Sequence, residues 1–495
     1  MFTRFNPFRS LPNPREVWAW GMYDFANQSF TLLIITLLFS LYFKQVIVAG
    51  PQVLERAAEQ AIAQADVEVY LYGSDDEKEL LAQDTRDALD DIKKQAYAAG
   101  DRAWALTAGT SLLLVVLISP VLGAIADAKR WRKEVLMTTG VFCVGLTCAM
   151  ALLGPGLTLV AAALFIAANF CYQTGENFLA SFLPDISTPR TIGRISATGW
   201  AMGYAGALVL LVCVALVGKY LGMADVRNWP PLFIFAGLWF LVGMLPSWLF
   251  LRERERERDV TARGNIVVAA VRQVGTTIIN AGHFKHLAIF LIAFFVYGLG
   301  VQTIINFASI IAADFGIEGQ ALFIFVLQLT VVAGATAVAT GFFQDKIGAK
   351  RTILIYLAVW LASTGGLILI SQLPSKPQWA FWVVGNGIGM GLGGIGTASR
   401  SMVAHFTPPH RSAEFFGLWG LAYKLAGAVG VLSFGLVKAS LGNLIALILL
   451  ASFFAVGIVL VSFVNERAGV RAARRAERDF LRSPAAHPDE PSPSA

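Results

Sequence analysis

The chain is predicted to be an all-α polytopic membrane protein with twelve transmembrane helices in two pseudo-symmetric six-helix bundles. Three observations predict this. Of its 495 residues, 56% are hydrophobic and only 15% charged, with a mean hydropathy of +0.62, against about 25% charged for an average soluble domain. Lipid offers the backbone no hydrogen-bond partner, so each crossing needs roughly 20 apolar residues to span a ~30 Å core, and the apolar runs number about twelve. Finally, Gly123, Asp127, Arg132 and Lys133 in GAIADAKRWRK return as Gly341, Asp345, Lys350 and Arg351 in GFFQDKIGAKR at a constant offset of 218 residues, each copy between two long apolar runs.

The elements follow in order. The first apolar run, 18–48, is preceded by Arg4, Arg9 and Arg15 in the manner of a secretory leader, but it is too long for one and contains Asp24, so a retained first span is expected. Residues 50–101 hold thirteen acids; the stretches LERAAEQAIAQ and EKELLAQDTRDALDDIKKQA predict two short helices outside the membrane, a solvated acidic cap. Spans follow at 103–126, 133–153, 157–181, 195–218 and 231–251, which closes an N-terminal bundle over 1–251. A charged linker beginning RERERERDVTARG fills 252–285, its later part moderately apolar and expected to form a surface helix. The C-terminal bundle, 286–464, has spans at 286–312, 320–343, 352–371, 379–403, 412–438 and 442–464, and the basic, Pro-rich tail 465–495 is expected to be disordered. Trp200 and Tyr204 recur as Trp419 and Tyr423 at an offset of 219, consistent with parallel duplication about an axis along the membrane normal.

Basic residues set the orientation. Arg4, Arg9, Arg15, Lys129, Arg130, Arg132, Lys133, Arg190, Arg194, the linker arginines, Lys346, Lys350, Arg351, Arg411 and the tail arginines fall on one side of a twelve-span chain. Both termini are therefore expected in the cytoplasm. The formal charge of +6 is explained by anionic headgroups meeting these clusters and implies no nucleic-acid partner. Cys143, Cys148, Cys171 and Cys213 lie in apolar runs without CxxC spacing, and read as small buried residues, not as a metal site or disulfide framework.

Charged side chains inside a bilayer cost at least ~2.5–3.5 kcal/mol, so they usually face a cavity or a partner. Asp24 lies early in the first span beside Asn27 and Gln28, and Asp24 and Gln28 share a helix face by their i, i+4 spacing. Glu176 lies in Tyr172–Asn177 near the end of the fourth span, where a partly desolvated carboxyl can load and release a proton. Both acids are candidates for coupling or for structural anchoring. Lys424 is read as the basic residue near the middle of a second-half span, able to hold a substrate carboxylate or to neutralise Asp24 or Glu176. Gln302 and Asn306 share a face of the seventh span, and Asn386 lies among glycines in the tenth; with Asn177 they are candidates for ligand contacts or interhelical hydrogen bonds. Glycines of the fifth and tenth spans suit either close packing or rocking interfaces. GxGxGxG in the tenth follows no strand, which excludes a nucleotide site.

The repeated loop motif is assigned to gating. Asp127 and Asp345 end their spans, where each can pair with the following bases and face the positive end of a neighbouring helix. Glycine three residues after the acid is present as Gly348 but replaced by Arg130 in the first copy.

The loop motif and twelve-span plan resemble the major facilitator superfamily. WAWGMYDFANQSF resembles the first-helix signature of its vacuole-effluxer branch, the autophagy-related amino-acid effluxers and their bacterial relatives. ENFLASFLPDIST and RISATGWAMGYAGAL resemble that branch's elements in the fourth and fifth spans, carried here by Tyr23, Asp24, Asn27, Asn177, Pro184, Asp185, Arg194, Ser196, Gly199, Gly203, Tyr204 and Gly206. Gln28 and Asp185 stand where serine and glutamate are common, and the fifth span lacks the antiporter-type proline. The resemblance implies export of amino acids or related small solutes.

The expectation is a secondary active transporter that moves a small polar solute by alternating access, coupled to protons. Drug or sugar export and a non-transporting sensor or scaffold are the alternatives. No Ser/His/Asp or metal constellation suggests an enzyme or a cofactor. The partners expected are a small solute, protons and the lipid bilayer, for a monomer in a bacterial cytoplasmic membrane.

Overall fold

A computed structural model describes residues 13–50, 55, 75–188, 191–220, 225–254, 266–282, 284–374 and 376–482; a few side chains within these stretches, those of Asp127 and Asp345 among them, lie outside the description. The first span is one helix over Pro14–Val48. Pro14 opens it, where a missing N–H costs nothing, so Asp24 sits ten residues in, roughly 15 Å along the axis, deeper than the sequence suggested. Over Ser29–Leu38 and Phe43–Val48 the helix widens to the i→i+5 pattern.

The second span belongs to a single helix, Asp75–Lys129. The acidic stretch from Asp75 is therefore continuous with the membrane segment and not a separate short helix; of LERAAEQAIAQ only Glu55 is described. The remaining spans are Arg132–Ala149, Thr158–Ser181, Ile192–Tyr220, Pro230–Phe250, Lys285–Asp314, Gly319–Ile347, Ala349–Ser371, Gln378–Phe406, Ser412–Leu441 and Asn443–Ser462. Eleven of the twelve are long and apolar enough to cross a membrane. The tenth, Gln378–Phe406, falls short because seven glycines replace apolar side chains.

Those glycines are there for contact. A Cβ on Gly393 would lie 1.9 Å from the Ala333 carbonyl of the eighth span, and one on Gly206 of the fifth would lie 2.2 Å from the Phe25 carbonyl of the first. Neither backbone could approach its neighbour with any side chain present.

The two halves repeat one packing plan. The first span packs on the fifth and sixth, the third on the fourth and sixth, and the second on the fourth; the seventh, ninth and eighth take the equivalent neighbours. Between halves, the second packs on the eleventh and the fifth on the eighth. The first and seventh spans are 78% and 67% buried, against 28–44% for the other candidate spans, so these two form the centre. Interhelical hydrogen bonds carry the same symmetry. Asn169 donates to Ser111 Oγ at 2.8 Å, and Gln328, 217 residues beyond Ser111, donates to Asn386 Oδ1 at 2.8 Å.

Two further helices lie outside the spans. Ile266–Gly282 packs on the second and eleventh spans. Glu466–Leu481, in the tail expected to be disordered, is helical: the Asn465 side chain accepts from the Ala468 N–H as an N-cap, and alanine and arginine are strong helix formers. The residues beyond 482, and 255–265 of the linker, lie outside the described residues.

Candidate functional site

The bundle has two ends. The motif end carries the Gly123 and Gly341 loops; the far end carries the turns opposite. Between them, the first, fourth, fifth, tenth and eleventh spans converge on a set of polar groups.

Asn27 donates to Glu176 Oε1, joining the first and fourth spans, and Gln28 donates to Asn27 Oδ1 at 3.2 Å. Asp24 and Gln28 face the same spot on the fifth span, where a Cβ on Gly203 would lie 3.5 Å from Asp24 Oδ2 and 3.4 Å from Gln28 Nε2. Thus the i, i+4 face read from the sequence is the face turned to the fifth span. Asp24, Gln28, Glu176 and Asn177 are all half-buried.

Lys424 crosses from the eleventh span to the fourth. Its ammonium donates to Asn177 Oδ1 at 2.5 Å and to the Gln173 carbonyl at 3.2 Å, while Asn177 donates to Ser119 Oγ at 3.0 Å. The expectation that Lys424 would pair with Asp24 or Glu176 is not met at contact distance: its partners are neutral oxygens. Three other candidates are turned elsewhere. Asn306 donates to the Gln302 carbonyl of its own helix, its own carbonyl accepts from the Trp104 indole, and both side chains are buried. Asn386 is held by Gln328 and the Trp382 carbonyl. Asn306 and Asn386 thus make hydrogen bonds within and between helices.

A residue that the sequence reading missed completes the set. Arg400, on the tenth span, donates to Ser196 Oγ of the fifth at 3.3 Å, and its guanidinium lies 4.8 Å from the Trp200 ring centroid and 5.8 Å from that of Trp419. Guanidinium over indole faces is a favourable cation–π arrangement. The two tryptophans are the pair that recurs at an offset of 219, so the repeat brings equivalent side chains from both halves onto one arginine. The signal was available, since Arg400 lies inside the apolar run 379–403.

At the motif end, Glu253 and Glu466 each act within their own half. Buried Arg132 pairs with Asp185 at 2.8 Å and with Glu253 at 3.1 Å, and Glu253 also accepts from the Lys133 N–H at 3.2 Å. In the second half, Glu466 accepts from the Ala349 and Lys350 N–H groups, both at 3.1 Å, and Lys350 Nζ reaches the Ser462 carbonyl at 2.7 Å. Each acid follows the last span of its half and caps the third, where the helix dipole favours a negative charge. Neither acid was singled out from the sequence. Arg351 is exposed, and the side chains of Asp127 and Asp345 lie outside the described residues. The turn replaced in the first copy keeps its hand: Arg130 has φ +58° and Gly348 φ +88°.

At the far end, charges act between halves. Lys44 and Asp101 of the first half meet Asp314 and Lys438 of the second in a closed ring. Lys44 lies 2.8 Å from Asp101 and 3.5 Å from Asp314, and Lys438 lies 2.6 Å from Asp101 and 2.9 Å from Asp314. All but Asp314 are at most 6% exposed. Lys438 to Asp101 Oδ2 is an aligned hydrogen bond, whereas the contacts to Asp101 Oδ1 and Asp314 Oδ2 are ionic without that alignment. Ser40 and Ser309 bond hydroxyl to hydroxyl beside the ring at 2.7 Å. The described residues contain no cluster of metal-ligating side chains, and the four cysteines are unpaired.

The family described as "Vacuole effluxer Atg22 like" matches residues 12–474. An uncharacterised major-facilitator-type transporter of Bacillus subtilis, YxiO, is 23% identical over 90% of this chain and 94% of its own length. Autophagy-related protein 22 of Eremothecium gossypii is 23% identical over 87% of this chain and 86% of its own. Among solved structures, the nucleoside transporter NupG superposes with a TM-score of 0.61 at 12% identity, covering 90% of this chain and 99% of NupG. The inward-open xylose transporter XylE gives 0.60 at 12% identity, covering 90% and 94%. At such identity these likenesses speak for the fold alone. With the family matched over nearly the whole chain and the repeated six-helix plan in place, the chain belongs to the vacuole effluxer Atg22-like family and is a multi-pass membrane transporter of the major facilitator type, not an enzyme.

Proposed function

We propose that the chain exports a small polar solute, an amino acid or a close relative, by alternating access coupled to protons. The observation that carries the coupling is the environment of Glu176. Its carboxylate sits in the bundle interior against the Asn27 amide, and Lys424, the cation reaching toward it from the other half, is held by neutral oxygens. An acid stabilised by an amide and not locked to a base can take up and lose a proton without breaking an ion pair. Asp24, one turn before Gln28 on the same face, is the second protonatable group. The amino-acid class rests on the family resemblance. The clusters of arginine and lysine at the motif end support a cytoplasmic placement for that end, in a bacterial cytoplasmic membrane, and the chain is taken to act as a monomer.

The test is flux in proteoliposomes loaded with radiolabelled amino acids. A pH gradient should drive movement by the wild type, and Glu176→Gln should lose most of the gradient-driven component, at least tenfold, while keeping solute counterflow. Asp24→Asn should lower both. Full pH-driven flux in both variants would sink the assignment.

A further inference from the structure

Cations in the interior of this bundle come with partners, and one departs from the rule. Lys44 and Lys438 each touch two aspartates, Arg132 meets Asp185 and Glu253, and Lys424 is held by an amide oxygen and a carbonyl. Arg400 carries five N–H donors, and the hydrogen bond it makes among the described residues is a single long one to the Ser196 hydroxyl. No described carboxylate lies within ion-pair distance of it. The aromatic faces of Trp200 and Trp419 stabilise its charge but occupy none of its in-plane donors. The Trp419 indole N–H beside it is buried and has no hydrogen-bond partner among the described residues. A planar fork of donors walled by two indoles, with a further unused N–H in the wall, is complementary to a planar anion that accepts two parallel hydrogen bonds.

The neighbouring acid sharpens the class of ligand. Ser196, Trp200 and Gly203 are spaced i, i+4, i+7 and share one face of the fifth span. Arg400 rests on the first two, and Asp24 faces the third. Along the helix, Trp200 and Gly203 are roughly 5 Å apart. A guanidinium and a carboxylate about one turn apart, unpaired with each other, match a zwitterion in reverse.

We infer that Arg400 is the anchor for the carboxylate of a zwitterionic solute, with Trp200 and Trp419 as the walls of that subsite and Asp24 facing the solute's ammonium group. This rests on the reading of the chain as an exporter of small polar solutes and replaces Lys424 with Arg400 as the carboxylate ligand. Lys424, on the eleventh span, is already engaged: its ammonium reaches the Gln173 carbonyl and Asn177 Oδ1 of the fourth span, whereas Asp24 faces Gly203 of the fifth.

The experiment is ligand-induced thermal stabilisation of the purified full-length protein, a binding readout that does not depend on flux. The probes are L-alanine, L-leucine, L-lysine and L-glutamate, each against its α-carboxamide, which keeps the ammonium and removes the carboxylate charge. At least one acid should stabilise the wild type while its amide does so at least tenfold more weakly. Arg400→Gln should abolish the preference for acid over amide, and Arg400→Lys, which keeps the charge but loses the fork, should retain a weakened one. Should Arg400→Gln not yield monodisperse protein, Arg400→Lys carries the test alone. Equal response to acid and amide, no response to any acid, or an unchanged preference in Arg400→Lys would overturn the inference. Because loss of pH-driven flux is measured separately, a carboxylate-selective protein without flux would refute the exporter reading and leave the subsite intact. Flux of amides as fast as acids would do the opposite.

Discussion

The two ends of this bundle use charge in opposite ways. At the far end, four charges from both halves, three of them buried, close a ring that ties one bundle to the other; at the motif end, among the described residues, Glu253 and Glu466 each serve their own half. The difference teaches where the molecule is jointed. Contacts that cap the third span with an acid from beyond the sixth tie those two spans of each half together at the motif end. The ring, by contrast, contains two contacts between halves, Lys44–Asp314 and Lys438–Asp101, and two within them, Lys44–Asp101 and Lys438–Asp314. Parting the halves would break the first two and leave each half a neutral pair. Closure is therefore stabilised by ion pairs, yet opening strands no lone charge, which is the costly outcome for buried groups. On the alternating-access reading proposed above, a far end built this way would open at a modest cost in free energy.

The largest effect should come from removing one member of the ring. Asp101→Asn leaves Lys44 and Lys438 sharing Asp314 alone, and breaking a buried ion pair from one side typically costs about 3–5 kcal/mol. The variant should melt well below the wild type. A cross-link between cysteines placed at Ser40 and Ser309, whose hydroxyls are 2.7 Å apart, should form more slowly because the far end spends less time closed. Exchanging the charges of the weaker inter-half pair, Lys44→Asp with Asp314→Lys, tests the ring from another side; it makes each intra-half pair a like-charge pair and should be worse than Asp101→Asn. Wild-type melting and cross-linking in Asp101→Asn would remove the ring from any account of closure.

Intermediate effects belong to the motif end. Glu253→Gln loses a charge-assisted cap and one of the acids on the Arg132 guanidinium, for about 2 kcal/mol. Glu466→Gln loses only a cap on two N–H groups, for about 1 kcal/mol. Both should lower the melting temperature without slowing the Ser40–Ser309 cross-link. If either slowed it as much as Asp101→Asn does, the separation of the two ends would be wrong.

This contrast also explains what could be read from the sequence. Twelve spans, the duplication and the loop motif were legible because lipid imposes long apolar runs and because the two copies keep one spacing. Asp24, Glu176, Asn177 and Lys424 were legible because a polar group inside such a run is rare, and the structure brings them into one region. Lys44, Asp101, Asp314 and Lys438 were not, since each lies near a span end, where a charge ordinarily meets water; only the fold shows four such ends converging. Arg400 was legible on the same ground as Asp24, a charge inside an apolar run, but it lies near the end of a run diluted by glycine and was passed over. For Gln302, Asn306 and Asn386 the sequence left two readings open, because an amide in a span satisfies a neighbouring helix as readily as a solute.

The smallest effect compares the two copies of the loop directly. Arg130 and Gly348 both have positive φ, a conformation that costs an L-residue with a Cβ roughly 1–2 kcal/mol, while glycine's greater freedom in the unfolded chain offsets about 0.5–1 of that. Arg130→Gly should therefore stabilise the first half by roughly 0.5–1 kcal/mol, seen as a small rise in melting temperature. If the motif end is local to each half, the far-end cross-link should not change. A fall in melting temperature would mean that the Arg130 side chain contributes more to the first loop than its backbone strain removes, and that the two copies, alike in their turn, are held in different ways.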